Sequence, residues 1–333
     1  MNQFEDIIGH DNIKRYFNKA ITENKIAHSY IFEGPFGVGK KMLAKAVAKV
    51  LLCENRKEAA ACNTCDSCYK IDKGTHPDLI WIQKDTKVIK IDNIRENFIE
   101  QMSIKPYEGN YKIVVIPEAE LITVEGQNAM LKVIEEPPSY GMIILVTENS
   151  QALLPTIRSR CVQISFYPLL TEKLKEKIKL SGIPEDKVEI YARFAQGSIG
   201  MFEKIAQDDQ FWEQRQLSIN YLDRIDKADL VQLYQIIDEL VEKKDDLIEI
   251  LNFWLLWYRD VAILKATDKM TGNDILYNID SRKQLLYTAG KLTYNKVNYI
   301  LELIKQSILD IRRNIYPLFV IENLLLKMKE RKK

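Results

Sequence analysis

Two groups of residues in this chain have types and spacings suited to chemistry. The first is Cys53-x8-Cys62-x2-Cys65-x2-Cys68, which places four of the five cysteines within 16 residues. In a cytosolic chain, as is expected here, thiolates at CxxC spacing read as metal ligands rather than disulfides. Four of them fill a tetrahedral Zn²⁺ shell, so such a site is structural and not catalytic. The second is residues 34–40, GPFGVGK, where Gly34, Gly39 and Lys40 fit the phosphate-loop pattern G-x-x-x-x-G-K and Gly37 adds a third flexible position. Backbone N–H groups at a helix start converge on an anion there, and Lys40 reaches the terminal phosphates. The next position should offer a hydroxyl to Mg²⁺, but it is Lys41, which has no acceptor atom.

Each group has a plainer explanation. The glycines could serve a tight strand-to-helix turn, and the cysteines could be four free thiols in a loop. A redox CxxC fits less well, because no thioredoxin-like strand–helix unit surrounds it. A base-reading zinc finger lacks its following helix. His76, in His76-Pro77-Asp78, reads as a turn histidine, since four thiolates already satisfy zinc.

The elements that must position these residues follow from periodicity. Residues 1–28 read as helical, with Asp11 or Asn12 capping a second helix. A short apolar strand at 30–32 feeds the glycine loop. The helix at 40–52 then carries Leu43, Ala44, Val47, Val50 and Leu51 on one side. Further strands are predicted at 79–82, 112–116, 141–146 and 162–166. Helices are predicted at 93–102, capped by Asp92, and at 124–134. Alternating strands and helices make residues 1–167 an α/β domain with a parallel sheet. Past Leu170 only helical patterns remain: a small module over 168–206, then longer helices over 207–333. Trp254, Trp257, Tyr258 and Phe319 on those helices read as core.

Composition narrows the class. There are 333 residues, 48 Lys and Arg against 47 Asp and Glu, 46% hydrophobic and 29% charged. A net charge of +1 does not suit a protein that coats nucleic acid by bulk charge. The opening MNQFEDIIG is acidic and polar rather than a signal peptide, and no apolar run is long enough for a membrane span. A soluble, cytoplasmic protein is therefore expected. The basic end, residues 327–333, reads as a frayed terminus.

Five features in order resemble the clamp-loader AAA+ family. They are the loop at 34–40, the cysteine insert followed by His76-Pro77-Asp78, and the strand Ile113-Val114-Val115-Ile116 running into Pro117-Glu118-Ala119-Glu120. Asn128-Ala129-Met130-Leu131-Lys132 leading to Glu135-Glu136-Pro137-Pro138 is the fourth, and Ser159-Arg160-Cys161 the fifth. The resemblance implies an AAA+ P-loop domain over 1–167 with the zinc insert at 53–68, an all-α lid over 168–206 and an all-α collar over 207–333. It implies a five-subunit complex that opens a sliding clamp and places it on primed DNA. The partners would be tau/gamma motor subunits and delta, with the clamp and DNA met through the complex. Nucleotide sits at subunit boundaries in such complexes. The family's Ser-Arg-Cys arginine, matched by Arg160, reaches into a neighbour's site as an arginine finger.

The departures are as informative. Lys41 replaces the Mg²⁺-binding hydroxyl, Pro117 replaces the aspartate expected after the strand, and Gly200 stands where active members carry an arginine after Gly197-Ser198-Ile199. Losing both Mg²⁺ ligands removes the ion that bridges the phosphates. Gly34, Gly37, Gly39 and Lys40 thus form a degenerate nucleotide site, and the departures speak against ATP turnover. The expected function is a largely non-hydrolysing scaffold subunit that lends Arg160 to an adjacent ATPase. The alternatives are an active tau/gamma-type ATPase and a zinc-dependent nucleic-acid-binding module.

Overall fold

The computed structural model describes Phe4 and residues 7–84, 87–267 and 275–330. They divide into two units, Met1–Lys177 with Gln196–Met201, and Ile178–Ala195 with Phe202–Lys333. The first holds five strands: β1 Ser29–Glu33, β2 Leu79–Trp81, β3 Lys112–Ile116, β4 Gly141–Thr147 and β5 Val162–Ser165. They pair in parallel in the order β2-β3-β4-β1-β5. Ile31 of β1 sits opposite Leu145 of β4 and Gln163 of β5.

Both faces of this sheet are covered, which explains the unbroken apolar runs of β3 and β4. Successive side chains alternate faces. Tyr30, Phe32, Ile113, Val115, Ile144 and Val146 enter one core with Phe17 and Ile21 of helix Asp11–Thr22 and Leu43 and Val47 of helix Lys40–Leu52. Ile31, Val114, Ile116, Ile143 and Leu145 enter the other, with Phe98 and with Met130 and Ile134 of helix Val124–Glu135. Edge strand β5 is mostly exposed.

The cysteine insert is built onto the first core, where Cys53, Cys65, Cys68 and Ile71 are buried. It contains a helix, Asp66–Lys73, that periodicity did not indicate. A chain of hydrogen bonds ties this helix to the sheet. The Asp78 N–H donates to Nδ1 of His76 (3.0 Å), which leaves the imidazole proton on Nε2, 3.0 Å from Ser67 Oγ. Ser67 in turn donates to the Leu52 carbonyl at 2.6 Å. Asp78 has no exposed side-chain surface. It accepts from the N–H groups of Tyr107, Glu108 and Gly109 and lies 3.7 Å from the equally buried Lys112 ammonium. Lys112 also sits over the Tyr107 ring. His76 is therefore a buried structural residue.

The structure differs from the periodicity at several points. Among the described residues up to 28 there is one helix, Asp11–Thr22, and Gly9 and His10 both take positive φ and turn the chain just before it. Neither Asp11 nor Asn12 caps it. His10 is the N-cap, and Asp11 pairs with Lys14 from within the first turn. Asp92 is likewise a first-turn residue and not a cap. Ile89 bridges to Ile122, and the helix starts at Ile91 with Lys90 before it.

The second unit is helical throughout its described residues. Trp254, Trp257 and Tyr258 are buried in its core, with Trp254 Nε1 donating to the Ser218 carbonyl. Phe319 is not core: it is 66% exposed and touches only Tyr316 among the rings. The buried side of helix Pro317–Lys329 is Val320, Ile321, Leu324, Leu325 and Met328, and Phe319 falls nearly opposite it at 100° per residue. The basic end is not frayed where described, since Lys329 donates to the Ala228 carbonyl. Residues 331–333 of that tail lie outside the described residues, as do most of the acidic opening residues before Ile7. Among the described residues no helix is long and apolar enough to cross a membrane.

Burial lowers the His76 pKa from the ordinary 6.5. A base whose folded value is depressed contributes stability that is full above its unfolded value and is lost as pH falls toward the folded one. Urea unfolding at descending pH below 6.5 is expected to show falling stability, and His76→Gln to flatten part of that slope. An identical slope in the variant would remove His76 from the linkage.

Candidate functional site

The phosphate loop leaves the carboxyl end of β1, and helix Lys40–Leu52 begins at its far side with Gly39 as N-cap. Gly34 continues the sheet, donating its N–H to the Thr147 carbonyl of β4. Its φ is +154°, and a Cβ there would meet the Phe166 carbonyl at 2.4 Å, so only glycine fits. Gly37 and Gly39 also take positive φ.

Lys40 does not extend from the loop. It is buried, and its ammonium turns back to donate to the carbonyls of Gly34 and Pro35, the latter at 2.6 Å. Burial lowers its pKa, while the carboxylates of Glu148 and Glu120 pull the other way. Lys41 stands 3.8 Å from Glu118, which also pairs with Lys84 at 2.6 Å. The Lys84 hydrogen bond, ahead of any other cause, holds the Glu118 carboxyl below its usual value. Glu118 lies just past the end of β3, where the chain takes positive φ. A lysine–glutamate pair thus joins the helix start to the end of β3. Pro117, which offers no ligand atom, precedes it.

Arg160 lies elsewhere. It precedes β5, follows the short helix Pro155–Arg158, and is exposed. Its guanidinium pairs with Glu135 at 3.0 Å and donates to the Thr156 carbonyl at 3.0 Å. Cys161 beside it is partly buried, which pushes its thiol up to about 12.

The four cysteines do come together. Their sulfurs all lie within 4.8 Å of one another, and Cys53 and Cys65 sulfurs are 4.0 Å apart. Four sulfurs bound at ~2.3 Å around one tetrahedral ion stand roughly 3.8 Å apart, so the cluster could hold a metal with little adjustment. Backbone N–H groups already point at sulfur: Cys62 N–H at Cys53, Cys65 N–H at Cys62 and Cys68 N–H at Cys65. The Thr64 N–H is the main cause that brings the Cys62 thiol down to about 6, while burial pushes Cys53 and Cys68 up. Such donors favour thiolates, the form that binds metal.

Two partners had no signal in the sequence: Lys84 on Glu118, and Glu135 on Arg160. Both pairings join residues 25 or more positions apart. Lys112 and Asp78 carried one, a charge at each entry to an apolar strand.

A family model described as "DNA polymerase III, delta subunit" matches residues 9–170. Over 323 residues the chain is 27% identical to the DNA polymerase III subunit delta' of Bacillus subtilis, covering 96% of this chain and 95% of that one. It is 38% identical to the delta' subunit of Pseudomonas aeruginosa over 141 residues, 41% of this chain and 42% of the relative. It is 34% identical to the tau/gamma subunit of Haemophilus influenzae over 202 residues, 59% of this chain. The chain spans only 29% of that relative's length. The parallel five-stranded sheet and helical second unit thus go with similarity to DNA polymerase III delta and delta' subunits, over residues 9–170 for the family model and along nearly the whole chain for the Bacillus subtilis relative.

Proposed function

We propose that this chain acts as a delta prime-type clamp-loader subunit, a scaffold that does not hydrolyse ATP itself and lends Arg160 to the nucleotide site of an adjacent tau/gamma motor subunit. One topological observation carries this reading. The phosphate loop follows the carboxyl end of β1, whereas Arg160 precedes the amino end of β5. The two strands are parallel neighbours, with Tyr30 opposite Val162 and Glu33 opposite Ser165. At about 3.3 Å per residue the two positions lie at opposite edges of the sheet, on the order of 15–20 Å apart. Arg160 is therefore out of reach of its own loop, which supports a role toward a phosphate held by a neighbouring chain. The absence of hydrolysis is supported by the spent cations: Lys40 faces the loop's own carbonyls and Lys41 faces Glu118. The partners on this reading are tau/gamma and delta, with the sliding clamp and primed DNA engaged by the assembly. The domain division that goes with it is 1–167, 168–206 and 207–333.

The metal in this proposal is Zn²⁺, held by Cys53, Cys62, Cys65 and Cys68. It would supply a closed, redox-inert crosslink that fastens the insert to the first core. Metal analysis of protein purified under reducing conditions is expected to give about one zinc per chain, falling to near zero in Cys65→Ser. A wild-type chain without metal would overturn the assignment.

The isolated chain is expected to show negligible ATPase activity. In the complex reconstituted with motor, delta and clamp subunits, Arg160→Ala is expected to cut the clamp- and DNA-stimulated ATPase while leaving assembly intact. The loss at the one site served approaches about 10³-fold. An unchanged rate would remove the finger role, and robust turnover by the chain alone, abolished by Lys40→Ala, would favour the tau/gamma-type reading.

A further inference from the structure

We infer that the phosphate loop of this chain is closed by the chain's own backbone: residues 197–201 dock on Gly37 and take up the lid-to-loop contact that a nucleotide would otherwise make. The inference rests on the non-hydrolysing reading above and deepens it, from a cradle that does not turn nucleotide over to one that needs no nucleotide to close. The contact is direct. The Gly200 N–H donates to the Gly37 carbonyl at 2.9 Å. Both glycines are required by space. A Cβ on Gly37 would meet Ser198 Oγ at 2.4 Å and the Gly200 Cα at 2.9 Å, and Gly37 already sits at φ +70°. A Cβ on Gly200 would meet the Gly37 Cα at 2.7 Å, a backbone atom that cannot swing away.

The neighbouring groups agree with a closed joint. Ser198 is buried and its hydroxyl accepts from the Met201 N–H, capping the helix that begins at Ile199. Gly197, at positive φ, accepts at its carbonyl from the Leu169 N–H, which fixes the approach of the segment. The loop's cations are occupied: the Lys40 ammonium is held by Gly34 and Pro35 carbonyls, and Lys41 by Glu118. For Lys40 to reach a phosphate at this loop, its ammonium would have to leave the Gly34 and Pro35 carbonyls.

Gly200 permits a test in which two effects have opposite signs. It lies in a helix at ordinary φ, so Gly200→Ala should stabilise by helix propensity alone. If the joint exists, the added methyl instead pries the segment off the loop. Gly290, also helical but with open space around its Cβ, supplies the reference value for propensity. Hydrogen exchange of peptides covering 34–41 and 197–202, with thermal unfolding, reads the outcome in the full-length chain. The expected result is protection of the Gly200 amide in the nucleotide-free wild type. In Gly200→Ala its exchange should be about fivefold faster, corresponding to one lost hydrogen bond, with a lowered unfolding midpoint. Adding Mg-ATP should leave the wild-type midpoint unchanged. Unprotected exchange at Gly200 in the wild type, a raised midpoint in Gly200→Ala, or a saturable Mg-ATP shift of the wild type would each overturn the closed joint. None of these measurements involves Arg160, so the joint can fail while the trans-acting arginine stands, and the reverse.

Discussion

The constraint behind the rest of this structure is that the parallel sheet is buried on both faces. Parallel strands need crossovers, and crossovers place helices over each face. Every strand then delivers its chain to the same edge. Gly34 follows β1, Glu118 follows β3 and Glu148 follows β4, so residues distant in sequence share the carboxyl edge where α/β sheets bind ligands. Residues that precede strands share the other edge, and Arg160 is among them. The separation of loop and arginine is a consequence of strand direction and does not depend on any side-chain rotamer.

At the loop, charge is balanced internally. Lys41 stands where a phosphate loop offers a hydroxyl, and Glu118 pairs with that lysine. Both members of the pair are about half exposed, so its contribution to stability is small. Its chemical consequence is larger, since an ammonium beside Glu118 disfavours a divalent ion at the same carboxylate. The buried pair of Asp78 and Lys112 is a different case. It satisfies three backbone N–H groups in a loop that would otherwise bury them unpaired, so removing one member leaves a charge without a partner.

The strands were legible because β-branched runs such as Lys112-Ile113-Val114-Val115-Ile116 have few other uses in a chain of this composition. The glycine loop and the cysteine cluster were legible because their spacing encodes local geometry. Helix starts were less so. Asp11 and Asp92 are good caps by type, but a positive φ at His10 and the bridge from Ile89 to Ile122 decided where those helices begin. Phe319 was misplaced because an apolar helix with hydrophobic residues on more than one side does not reveal which of them faces inward. Long-range pairs such as Lys84 with Glu118 leave no periodic trace at all.

The pairing of Arg160 with Glu135 has to be weighed against a trans role, since an arginine already held by a carboxylate could be spent. Magnitude decides the matter. Both side chains are about two-fifths exposed, and an ion pair at that exposure is worth roughly 0–1 kcal/mol. A hydrogen bond to a charged partner in a dry interface is worth about 1.5–3 kcal/mol. A phosphoryl group presented by a neighbouring chain can therefore draw the guanidinium from Glu135 at little cost. Until then Glu135 and the Thr156 carbonyl hold the guanidinium near the amino end of β5. Glu135 ends the helix Val124–Glu135, where a carboxylate is disfavoured by the helix dipole. The arginine offsets that, so the contact suits a reversible hold on Arg160 better than a fixed structural bond.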